Sequence, residues 1–114
     1  MKSVFIVTDI EGIAGITSHE LHAYADARYL DRFRRLATAE VNAAIEGMVS
    51  AGVEDILILD GHGPEGLWFE DLIPPAKILQ GRPLAPRAIW DPIVDKYEAG
   101  AIIGEGVRIG AQCR

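Results

Sequence analysis

At 114 residues the chain fits one small domain, and 49% hydrophobic with 25% charged residues excludes extended disorder. A formal net charge of -6 argues against general affinity for nucleic-acid backbones, which draws on clustered Lys and Arg. The single cysteine, Cys113, excludes an intrachain disulfide and a thiolate zinc cluster, and fits a reducing cytoplasm.

The first element in chain order is the apolar run Val4-Phe5-Ile6-Val7, rich in β-branched residues and ending at Asp9. It is too short for a signal-peptide core, and no segment of the chain approaches the ~20 apolar residues of a membrane span. A cytoplasmic protein that meets no membrane is expected. The run reads instead as a strand buried on both faces of a parallel sheet.

Asp9-Ile10-Glu11 follows at once. Side chains two apart on an extended backbone project to one side, so the spacing predicts two carboxylates aimed at one point. Their mutual repulsion is relieved by a divalent cation. The competing reading is a pair of polar residues leaving a buried strand.

From Gly12 to Tyr29 no period is firm, and Gly12, Gly15, Thr17 and Ser18 read as a loop before a short helix. His19 and His22, three apart, would share one helix face, and solvent exposure is the expectation for both. Arg28, Arg32, Arg34 and Arg35 alternate with Asp26 and Asp31 and read as a solvated face.

Phe33, Leu36, Ala37, Val41, Ala44, Ile45 and Met48 recur at spacings of three and four, the mark of an amphipathic helix, and Gly52 is placed to end it. A second strand, Ile56-Leu57-Ile58-Leu59, completes a βαβ unit with a right-handed crossover. Weaker runs at Ala76-Lys77-Ile78-Leu79 and Ala101-Ile102-Ile103 flank a segment rich in Pro and Arg from Arg82 to Pro92. The fold class expected is α/β, mainly parallel, with at least three strands.

Asp60-Gly61-His62-Gly63 follows the second strand as Asp9 follows the first, and ligands of open parallel sheets bind outside the carboxyl ends of strands. If the strands are neighbours, His62 meets Asp9 and Glu11. An imidazole with carboxylates suits zinc, with manganese or cobalt as alternatives. Asp60 reads as a residue that orients His62 or a neighbouring loop, and Gly61 and Gly63 as allowing a sharp turn. Trp68 and Trp90 are open between packing, cleft lining and partner contact.

Three segments together, Asp9-Ile10-Glu11-Gly12-Ile13-Ala14-Gly15, Glu40-Val41-Asn42-Ala43-Ala44-Ile45-Glu46-Gly47 and Asp60-Gly61-His62-Gly63, resemble the amino-terminal half of the zinc-dependent D-aminopeptidase family. The resemblance implies that Asp9, Glu11 and His62 are ligands of a binuclear zinc centre, with Asp9 bridging. It also implies hydrolysis of short peptides from the amino terminus, with D-residues preferred by several members, and ring-like homo-oligomers. The third strand-end motif of the family is a Gly, a variable residue and a metal-binding His; here Gly104 and Glu105 lead to Gly106.

Residues 1–103 are thus expected to form the amino-terminal part of such a domain, with 104–114 a divergent tail. Family members continue further, so the chain is expected to be a truncated or frameshifted form that holds one zinc or none and is impaired or inactive. Two other classes compete: a non-catalytic α/β fragment or oligomerisation module, and a metal-dependent exonuclease, which also opens on an Asp-x-Glu pair but continues into antiparallel strands.

Overall fold

The computed structural model describes residues 1–106, so Cys113 and most of the expected divergent tail lie outside the described residues. Four strands, β1 (Ser3–Thr8), β2 (Asp55–Asp60), β3 (Ala76–Leu79) and β4 (Ala99–Ile103), form one sheet in the order β3-β2-β1-β4. All three pairings are parallel, with Thr8 opposite both Asp60 and Ile103. The expected α/β class and the βαβ unit are both present. The antiparallel strands of the exonuclease reading are absent among the described residues.

Helix α1 (His19–His22) is a single turn, whereas α2 (Leu30–Ser50) spans 21 residues. Leu30, Phe33, Ala37, Thr38, Val41 and Ile45 of α2 are buried, following the three-and-four spacing that puts them on one face. Leu36 falls off that face and is 42% exposed, which corrects its expected place in the core. The helix ends as Gly52 predicts: Gly52 has φ +99°, its N–H donates to Val49 O, and Val53 N–H donates to Met48 O. This pair of bonds is the Schellman arrangement, which uses a left-handed residue to satisfy the last carbonyls.

Alternation along the strands divides the core in two. Val4, Ile6, Ile56 and Ile58 face α2, whereas Phe5, Leu57 and Leu59 face a third helix, α3 (Arg87–Val94). Burying a side chain such as Ile6 or Ile58 contributes about 1.5–3 kcal/mol, so the two central strands anchor the fold. Most of α3 falls in the Pro- and Arg-rich segment from Arg82 to Pro92, and its Trp90 and Val94, four apart, pack on the sheet. Trp90 stacks near Phe5, with ring centroids 6.4 Å apart, and its indole N–H donates to Ala85 O.

The chain moves outward from β1 through β2 to β3, then returns to place β4 on the other side of β1. With α2 and α3 on opposite faces, the direction of winding reverses beside β1. Ligands of open parallel sheets bind outside the carboxyl ends of the strands. Among the described residues no helix is long and apolar enough to cross a membrane.

Candidate metal centre

The β1 strand stops at Thr8, and Asp9 to Gly12 turn rather than extend. Ile13 N–H donates to Ile10 O, and the fully buried Ile10 pins the turn to the core. The two carboxylates therefore converge through a turn around an apolar anchor, not through the strand pleat that the spacing suggested.

Neighbouring β4 locks this turn from the side. Asp9 N–H donates to Ile103 O at 3.0 Å and Gly12 N–H to Gly104 O at 2.7 Å. At Gly104, with φ +81°, a Cβ would sit 2.0 Å from Asp9 O, so only glycine fits.

The turn after β2 is organised by Asp60, which is buried. Its carboxylate accepts from the backbone N–H groups of His62, Gly66 and Leu67 and from the Gln80 side-chain amide. Asp60 thus orders the loop, as the sequence suggested. Gly61 comes so close to Thr8 that a Cβ would meet its carbonyl oxygen at 2.8 Å, whereas Gly63 has open space around it.

Asp9, Glu11 and His62 come together at this edge, each offering one ligand atom, all within 4.8 Å of one another. His62 Nδ1 lies 3.1 Å from Asp9 Oδ1 and 3.4 Å from Glu11 Oε1. Its other ring nitrogen, Nε2, is 2.6 Å from the carbonyl oxygen of Ala23. A carbonyl only accepts, so Nε2 carries the proton, and in the neutral ring Nδ1 is left with its lone pair facing the carboxylates. The chemistry of this donor set fits a divalent cation: two carboxylate oxygens and one imidazole nitrogen lie close together.

The charges agree with that geometry. Burial alone would raise the Asp9 carboxyl, but bonds to His62, Glu11 and the Ile10 N–H outweigh it and hold the group down at about 2. Glu11 moves the other way, pushed up by burial and by its hydrogen bond to Asp9. Burial opposes the charged form of His62, yet Asp9, the Ala23 carbonyl and Glu11 together raise it. Without a cation, protons are drawn to the cluster to offset two crowded carboxylates.

Other residues singled out from the sequence stay outside the cluster. Glu105 is exposed and is not one of the three. Gly106 has no side chain to offer, but a Cβ there would lie 3.1 Å from Glu11 Cβ. His19 is exposed, whereas His22 stacks on Phe33 at 4.0 Å and its Nδ1 accepts from the backbone of Thr17 and Ser18. The expectation of exposure therefore fails for His22, whose ring packs against α2. Arg34 also leaves the solvated face assigned to it, with a side chain only 17% exposed.

An all-parallel α/β sheet with a carboxylate and histidine cluster at the carboxyl ends of two neighbouring strands defines a protein with a candidate metal centre. The chain belongs to the D-aminopeptidase family, peptidase family M55, whose model matches residues 1–112. Its membership makes it a hydrolase of peptide class and bears out the resemblance read from the three motifs. Comparison with curated proteins and with solved structures finds no match.

Proposed function

We propose that this chain holds one divalent cation, zinc by its donor chemistry, on Asp9, Glu11 and His62, and acts at the amino terminus of short peptides, with D-residues preferred. The observation that carries the reading is the convergence of three ligand atoms at the carboxyl ends of the neighbouring parallel strands β1 and β2. A carboxylate pair with one imidazole suits zinc better than magnesium, which favours oxygen alone.

The residues divide the work by environment. Asp9, kept ionised by its hydrogen bonds, is the anchoring carboxylate, and Glu11 supplies the second carboxylate oxygen. His62 presents Nδ1 because Ala23 O holds Nε2–H. A bound cation supplies Lewis acidity here, polarising the scissile carbonyl and making water a competent nucleophile near neutral pH. Gly106 contributes no fourth side chain, so weak retention of the cation and slow turnover are part of the proposal.

Cleavage of D-alanyl and L-alanyl p-nitroanilides with and without added zinc tests it. Zinc-dependent release favouring the D-substrate, lost in Glu11→Ala, is expected. Equal rates with and without metal would rule out the metal-dependent reading.

A second reading, self-association, is favoured by β4. This edge strand carries Ile102, 70% exposed, and no charge or proline between Ala99 and Ile103. Among the described residues no strand pairs with the outer side of β4, and open edges of this kind pair with other chains. Sedimentation velocity should give a species heavier than the 12.4 kDa chain, shifted toward monomer by Ile102→Lys.

A further inference from the structure

Arg34, Thr38 and Asn42 of α2 stand four residues apart and so form one stripe along the helix. Each rung fastens the chain that follows β2. Asn42 bonds Asp71 O and the Ile73 N–H through its amide, and Thr38 Oγ1 accepts from Trp68 N–H. The top rung reaches the turn that carries His62. Arg34 donates to Glu65 O at 2.7 Å through Nε and to Pro64 O through Nη2, while Nη1 pairs with Asp31 and the guanidinium lies over the Trp68 ring.

The residue so held is strained. Glu65 has φ 69°, a left-handed conformation that costs a non-glycine residue about 1–2 kcal/mol. In that conformation its N–H donates to His62 O at 3.0 Å and closes the turn. The next residue, Gly66, is packed closely on the same histidine, since a Cβ would lie 3.2 Å from His62 Cβ. Relaxation of Glu65 gives up the bond that ties its N–H to the His62 carbonyl.

We propose that Arg34 is a positioning residue of the metal centre: its guanidinium latches the left-handed Glu65 and thereby keeps His62 Nδ1 on Asp9 and Glu11. The inference rests on the metal-binding reading given above. Two carbonyls on neighbouring residues require two donors in fixed relation, which the planar fork of Arg provides and the single ammonium of Lys does not. Asn42 is the control, because it fastens the same segment further down without touching the turn.

Zinc affinity and amide hydrogen exchange together test this. Arg34→Ala and Arg34→Lys should each weaken zinc binding about 10- to 100-fold, the range for outer-shell partners of metal ligands. Adding Glu65→Gly to Arg34→Ala should recover most of that loss, since glycine needs no latch to stay left-handed. Asn42→Ala should stay within about twofold of the parent, even if it melts earlier. Zinc affinity unchanged in Arg34→Ala, or lost equally in Asn42→Ala, overturns the latch.

If the parent chain binds no zinc, the metal reading fails and exchange in the metal-free protein decides the latch by itself. Faster exchange at the Gly66 and Leu67 amides in Arg34→Ala, slowed again by Glu65→Gly, supports it. Unchanged exchange overturns it.

Discussion

The turn after β1 is held by backbone and the turn after β2 by side chains. Asp9 and Gly12 are bonded through their N–H groups to Ile103 and Gly104, and glycine at 104 lets two main chains touch. His62, in contrast, sits in a loop threaded around the Asp60 carboxylate, with Gln80 and Arg82 donating from the β3 side. Backbone contact fixes position but tolerates no added atom. A carboxylate hub tolerates changes of shape nearby but not the loss of its charge and acceptors.

The largest effect should come from Gly104→Ala, where a Cβ meets Asp9 O at 2.0 Å in a left-handed backbone. A loss of about 3 kcal/mol or more is expected in urea denaturation. Gly100→Ala in the same strand, with Phe5 O no nearer than 3.8 Å, should stay within about 1 kcal/mol. If the two variants unfold alike, backbone contact does not distinguish the β1 turn.

Asp60→Asn probes the other side of the comparison. It keeps the shape but replaces one acceptor oxygen by a donor facing N–H groups, so about 2–3 kcal/mol of stability should go, with the midpoint of thermal unfolding as the readout. Gly106→His should act in the opposite sense on function. Its side chain would start beside Glu11, and zinc affinity should rise at least tenfold in a competition assay against a chromophoric chelator.

A smaller effect is the pH dependence of the metal-free protein. Asp9, lowered from 3.8 to about 2, contributes stability that is present above 3.8 and lost as pH falls toward 2. Glu11, raised from 4.5, and His62, raised from 6.5, contribute stability that is present below those values and lost as pH rises through the higher folded ones. These three groups alone favour the metal-free fold near pH 3.8–4.5, with decline toward neutral pH. Zinc should flatten that decline, and thermal melts across pH with and without the ion will show it.

Much of this was legible in the sequence for a physical reason. Buried parallel strands leave continuous β-branched runs, and a helix on a sheet leaves a three-and-four spacing, so β1, α2 and β2 stand out. The residues after each strand then locate the site. Pro86 and Pro92 obscured α3, although the spacing of Trp90 and Val94 carried its signal. Arg34 was misread because a helix wheel does not reveal which backbone carbonyls will arrive opposite a charged residue. The turn at Asp9 to Gly12 depends on β4, more than ninety residues away, and no local pattern encodes it.

Calorimetric titration of zinc into the chain and its Asp9→Ala and His62→Ala variants tests the central claim most directly. One ion per chain at micromolar concentration or tighter, weakened at least a hundredfold in both variants, is the predicted result. No binding by the parent chain, or binding that survives Asp9→Ala unchanged, would contradict it.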